Sequence, residues 1–227
     1  MTRKIAITGT SQGLGFALTR RFDELGHQVF GGARTPREKL GELFGGYRRV
    51  DVVDSESQKL WWDAAISNLG GLPDLVIANA AVINRNAPLW EVPEEEFRKV
   101  VEVNVTGVYL TLTHFVKRWL KSERKDAVLV ALSSGWGRST SSEVAPYCTT
   151  KWAVECMIGA LSQELPQGLT AVALNPGIID TEMLRSCFGA GASHHDTPEN
   201  WARSAANQIL SFDSKSNGVP ATIVSSL

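Results

Sequence analysis

The chain has 227 residues, 43% of them hydrophobic and 21% charged, with a formal net charge of -1. This length and balance suit a single globular domain over residues 1–227, and the near-zero charge excludes the basic field that a nucleic-acid partner requires. Three cysteines, Cys148, Cys156 and Cys187, form no Cys-x-x-Cys pair, which speaks against a disulfide framework and a zinc site and for a reducing compartment.

The N-terminus passes directly into a strand-like segment, and no apolar run approaches the ~20 residues of a membrane span. A cytoplasmic protein without a membrane partner is therefore expected. Short apolar runs recur along the chain: Ile5-Ala6-Ile7, Val29-Phe30, Val50-Asp51-Val52, Leu75-Val76-Ile77-Ala78, Val128-Leu129-Val130-Ala131-Leu132 and Ala171-Val172-Ala173-Leu174. Residues 219–224 offer a seventh. Runs that are apolar on both faces suit a buried parallel sheet, and the intervening segments are long enough for right-handed crossover helices. The pattern predicts an α/β, Rossmann-like doubly wound fold with helices on both faces of a seven-stranded sheet.

The first strand runs into Gly9-Thr10-Ser11-Gln12-Gly13-Leu14-Gly15, and an amphipathic helix follows over 16–25. Glycines at a strand-to-helix turn let backbone N–H groups approach a pyrophosphate, while the helix N-terminus supplies favourable partial charge. The second strand ends in Ala33-Arg34-Thr35. A carboxylate at Ala33 would bind the ribose diol of NAD; Arg34 instead offers a fork that matches a phosphate, so NADP(H) is the expected cofactor. Asp51 and Val52, at the end of the third strand, are candidates to face the adenine. Apolar residues at helical spacing from Phe97 to Leu120 predict one long helix over 93–121.

Tyr147 and Lys151 are four residues apart and share a helix face, where the ammonium is expected to lower the phenol pKa from its usual ~10. Residues 181–197, with clustered glycine, alanine and serine, read as a mobile lid. Little chain follows the seventh strand, so that lid is expected to supply most of the substrate cover. His194, His195 and Asp196 are neighbours without a spaced fourth ligand, and no metal is expected.

Ser134 lies thirteen residues before Tyr147, and this spacing, the turn Gly-x-x-x-Gly-x-Gly and the strand end Ala78-Asn79-Ala80-Ala81 together resemble the short-chain dehydrogenase/reductase family over nearly the whole chain. The resemblance implies hydride transfer between a nicotinamide and a carbonyl carbon. Tyr147 would be the acid or base, Ser134 would polarise the oxygen, Lys151 would also hold the ribose, and Asn104 would sit on a proton relay. It implies that Gly9, Ser11, Gln12, Gly13, Leu14 and Gly15, then Asn79, Ala80 and Ala81, then Pro176, Gly177, Ile179 and Thr181 line the cofactor. Ala81 stands where the family has glycine, which narrows the space beside the cofactor. The family also implies a homodimer or homotetramer through the long helix and the helix of the Tyr-Lys pair, although the stripe Val101, Val105, Val108, Leu112 with Met157 and Leu161 would equally serve to pack on the sheet.

The stretches Ser133 to Ser139, Ala145 to Cys148, Lys151 to Ala153, Thr181 to Gly189 and Trp201-Ala202 resemble the pterin-aldehyde-reducing branch of that family. Such a small-molecule carbonyl substrate would suit Trp136 and Trp90 as stacking walls, with Cys187 and Phe188 in the lid; either tryptophan could equally be a packing residue. The same residues would also serve oxidation of an alcohol or reduction of another carbonyl. Loss of the tyrosine or lysine would leave a non-catalytic NADP-binding sensor, but Ser134, Tyr147 and Lys151 are all present.

Overall fold

The computed structural model describes residues 2–35 and 46–224. Seven strands form one parallel sheet: β1 (Lys4–Thr8), β2 (Gln28–Ala33), β3 (Tyr47–Arg49), β4 (Leu75–Ala78), β5 (Ala127–Leu132), β6 (Leu169–Asn175) and β7 (Ala221–Thr222), in the order β3-β2-β1-β4-β5-β6-β7. The helices are α1 (Gly13–Glu24), α2 (Ser55–Asn68), α3 (Glu94–Val101), α4 (Gly107–Trp119), α5 (Ala145–Glu164), α6 (Glu182–Phe188) and α7 (Pro198–Leu210).

Alternation along the strands builds two cores. Ile5, Ile7, Leu75, Ile77, Val128 and Val130 pack under α1 and α7 through Leu18, Phe22, Trp201 and Ile209. Ala6, Val76, Leu129 and Ala171 face α2, α4 and α5 through Trp61, Trp62, Leu112, Phe115 and Ile158. The fold is the doubly wound α/β arrangement expected from runs that are apolar on both faces. Val108 and Leu112 of the long-helix stripe are buried in the second core, and Met157 and Leu161 pack against it.

Four local readings of the sequence are corrected. The third strand ends at Arg49, before the run Val50 to Val52. Val50 and Val52 are buried although they follow the strand, because Val50 packs in the second core and Val52 lies against Gly107, while Asp51 accepts from the Val53 N–H at 3.3 Å and Asp54 caps α2. The helix over 93–121 is helical from Glu94 to Trp119 but widens into a π turn at Glu102–Thr106, where the Gly107 N–H bonds the Glu102 carbonyl five residues back. Residues 181–197 form α6 and a 3₁₀ turn, Gly189–His194, rather than a loop. Thr181 caps α6 by accepting from the Leu184 N–H at 3.1 Å, and Gly189 leaves it at φ 54°. That Thr-Glu start and glycine stop are readable helix signals. β7 is only two residues long, after Pro220, which has no N–H to donate.

Trp61 anchors the glycine-rich β2. Its indole N–H donates to the Gly31 carbonyl at 3.1 Å, and a Cβ on Gly32 would collide with that nitrogen and with Val50 Cγ1. Trp61 packs edge-on against the equally buried Trp62, with ring centroids 4.8 Å apart. Urea denaturation is expected to show Trp61→Ala destabilised by about 3–5 kcal/mol and Gly32→Ala by about 1–3 kcal/mol through the displaced indole.

Candidate active site

The carboxyl ends of β1, β2, β4, β5 and β6 open onto two adjoining cavities. The first, about 560 Å³, runs from the glycine turn to the Tyr-Lys pair. The β1 exit is tightly made: Gly9 has φ 75°, and a Cβ there would stand 2.7 Å from Ala80 Cα. Asn79 closes this corner, its amide donating to the Thr8 and Gly9 carbonyls at 2.9 and 3.0 Å. Gln12 sits extended at the N-cap of α1 without a side-chain cap hydrogen bond, and the first residues of that helix, Gly13 and Leu14, lie at the cavity. Ser11, Gln12, Gly13 and Leu14 line it from that side, Ala33, Arg34 and Thr35 from the end of β2, Val50 and Val52 from the turn after β3, and Ala80 and Ala81 from the turn after β4. Pro176 and Thr181 complete it.

Other expected residues fall elsewhere. Gly15 is buried, and its hydrogen faces the Gly9 carbonyl and the Asn79 amide so closely that no side chain fits; it serves packing of the turn and does not line the cavity. Asp51 spends its carboxylate on the turn before α2 and is not among the lining residues, unlike Val50 and Val52. Gly177 and Ile179 line the second cavity instead. Asn104 reaches neither: fully buried on the π turn, it accepts from the Val82 N–H at 2.8 Å and donates to the Val82 carbonyl at 2.8 Å and the Thr150 hydroxyl at 3.0 Å.

The second cavity, about 590 Å³, is lined by Ile83, Trp136, Ile178, Met183, Leu184, Cys187 and Phe188, with Ser134, Ser139, Ser141 and Asn175 as polar groups. Trp136 stacks with Phe188, centroids 6.0 Å apart at 28°, and meets Tyr147 edge-on at 6.0 Å and 84°. Among the described residues none that lines it is an aspartate, glutamate, lysine, arginine or histidine. Trp90 is absent from this wall: it sits on the 3₁₀ turn Leu89–Glu91 and is 85% exposed. Met183 and Leu184 were hidden from sequence reasoning by the loop reading of 181–197; as residues of an amphipathic turn with Cys187 they fall on one face.

Tyr147 lines both cavities. It and Lys151 share a face of α5, with the Lys151 ammonium 5.4 Å from the phenol ring centroid. The expected lowering of the phenol pKa does not occur here. Burial pushes it up, a hydrogen bond with the Ser134 side chain pulls it down, and the thiols of Cys187 and Cys148 add to the rise. Burial also pulls Lys151 down to about 8, opposed by Glu155, and its ammonium donates to the Leu132 carbonyl at 2.7 Å. Ser134 accepts from the Trp136 N–H at 3.1 Å, so its own O–H is the donor toward the Tyr147 oxygen. A protonated phenol and a hydroxyl donor thus converge where an oxygen entering from the apolar cavity would arrive. Among the described residues no group of three His, Cys, Asp or Glu could hold a metal ion, and no helix is long and apolar enough to cross a membrane.

A family profile described as short chain dehydrogenase matches residues 3–190. The chain is 42% identical to an NADPH-dependent pterin aldehyde reductase of Arabidopsis thaliana over 97% of its own length and 93% of that protein's. It is 31% identical to an NADPH-dependent 3-dehydrocapnine reductase of Ornithobacterium rhinotracheale, covering 86% and 72% of the two chains. Its fold superposes with a TM-score of 0.84 on a 3-ketoacyl-(acyl-carrier-protein) reductase of Brucella melitensis complexed with NADH, 26% identical over 98% of this chain and 97% of that one. The chain belongs to the short chain dehydrogenase family.

Proposed function

We propose that the protein is an NADPH-dependent carbonyl reductase whose substrate is a small, uncharged aromatic or heteroaromatic aldehyde, a pterin aldehyde being the leading candidate. The observation that carries this reading is the position of Tyr147, which with Leu14, Pro176, Thr181 and Met183 lines both the glycine-turn cavity and the aromatic cavity and is the one of these five with an acidic O–H. The first cavity fits a dinucleotide: its glycine turn admits no Cβ against Ala80, the N-terminus of α1 faces it, and the exposed Arg34 lies at its β2 rim. A reduced nicotinamide bound there would supply a hydride to a carbonyl carbon.

This chain's residues handle the oxygen. The Ser134 O–H polarises it, and Tyr147, held protonated by burial, passes its phenolic proton to it. Lys151 stabilises the resulting phenolate with its nearby positive charge. The apolar walls of Ile83, Trp136 and Phe188 exclude water and present flat surfaces to a ring. The substrate branch follows from the 42% identity to the Arabidopsis enzyme together with those walls. The long-helix and Tyr-Lys helix surfaces also support pairing of two copies, since Tyr109 and Trp152 are each 49% exposed there.

Three measurements test the reading. Tyr147→Phe is expected to lower carbonyl reduction by at least about a thousandfold while NADPH still quenches tryptophan fluorescence with near wild-type affinity; unchanged turnover would refute the mechanism. The pH profile should follow Lys151. Its pKa of about 8 means the charge is present below that pH and lost above it, so reduction should hold level near neutrality and fall by about tenfold per unit above it. Lys151→Arg, which stays charged, should lose that limb at a reduced plateau rate. In the third, 4-carboxybenzaldehyde is compared with benzaldehyde. An uncharged wall penalises a buried carboxylate, so kcat/KM should favour the neutral aldehyde by about tenfold or more.

A further inference from the structure

Strand β3 places a second arginine, Arg49, next to Ala33, a residue that lines the first cavity. In the parallel ladder Arg49 pairs with Ala33 and Arg48 with Gly32. Partners across a ladder are about 4.8 Å apart and share a face of the sheet, while successive residues alternate faces. The face of Gly32 is fixed, since a Cβ there would run into Trp61; Arg48 is therefore directed to the α2 side. Ala33 lies on the opposite face and lines the cavity beside Arg34, and Arg49 shares that face.

The hydroxyl of Tyr47, two residues before Arg49 and on the same face, donates to the Ala33 carbonyl at 2.8 Å. Burial raises the pKa of that hydroxyl, and the nearby charge of Arg49 acts against the rise. Arg49 is exposed, and among the described residues neither it nor Arg34 pairs with a carboxylate. Gln12, on the opposite wall, adds no charge. Two guanidinium forks without a carboxylate partner among the described residues thus flank Ala33, at the place where an acidic residue would bind an unphosphorylated ribose.

We propose that Arg49 acts with Arg34 as a specificity-determining residue for the phosphorylated adenosine ribose, so that β3 as well as β2 selects NADP(H) over NAD(H). The proposal rests on the dinucleotide reading of the first cavity. It assigns to this chain a two-sided clamp, with Arg34 reaching the phosphate from the end of its own strand and Arg49 from the neighbouring one. Arg48, one residue away but on the other face, takes no part.

The test is binding, without turnover. Isothermal titration of the full chain with 2′-phospho-ADP-ribose and with ADP-ribose separates the phosphate from the rest of the ligand. Arg49→Gln is expected to weaken the phosphorylated ligand about fivefold, to leave ADP-ribose affinity unchanged, and to flatten the salt dependence of the phosphorylated ligand. Arg48→Gln is expected to change neither affinity, and unchanged ADP-ribose binding reports an intact cavity in each variant. Wild-type preference retained in Arg49→Gln, or an equal loss in Arg48→Gln, would overturn the proposal alone. A wild-type protein that binds ADP-ribose as tightly as its 2′-phosphate would overturn the NADP(H) reading and the proposal with it.

Discussion

The amide of Asn79 donating to the carbonyls of Thr8 and Gly9 is the contact on which the site depends. The strand order reverses between β1 and β4, and the chain leaves these neighbouring strands toward opposite faces of the sheet. A crevice opens there by topology alone. Its two lips would have no reason to keep a fixed separation, but Asn79 ties one to the other through the backbone. Ala80 then presses close enough on Gly9 that no side chain fits between them. The width of the cofactor cavity is therefore set by main chain and one amide, and the lining side chains only finish it.

The second constraint is burial of ionisable groups. Tyr147 and Lys151 are 7% and 2% exposed, and each is driven toward its neutral form. Such groups cost stability unless they are paired, and the fold offsets that cost incompletely: Lys151 has the Leu132 carbonyl and Tyr147 has Ser134. Proton chemistry gains from the same arrangement. A phenol that stays protonated is a donor in waiting, and a lysine poised near neutrality responds to any charge that arrives beside it.

Much of the architecture was legible because it rests on strong local patterns. The strands β1, β4, β5 and β6 coincide with unbroken apolar runs, and a spacing of four residues was enough to bring Tyr147 and Lys151 to one helix face. Reading failed where hydrophobicity served something other than a strand. Val50 and Val52 are apolar because they pack under a turn, and Val52 lies against Gly107. Trp90 drew attention by its size, yet composition says nothing of where a 3₁₀ turn points a side chain. Helix α6 was missed because a glycine-rich tail outweighed the Thr181 cap. The sign of the phenol shift was missed for a deeper reason, since burial is a tertiary quantity and opposed the charge that sequence made visible.

The π turn at Glu102–Thr106 has an evolutionary side. A π turn is in effect one residue added to an α-helix. Deleting a residue inside it would restore regular winding while α3 and α4 kept the faces they already present. Deleting one in α4 before Leu112 would instead rotate the rest of that helix by about 100° and turn Leu112 and Phe115 away from the sheet. In the segment that carries Asn104, a change of length would therefore leave the faces of α3 and α4 in place and fall instead on the buried hydrogen bonds of Asn104 to Val82 and Thr150.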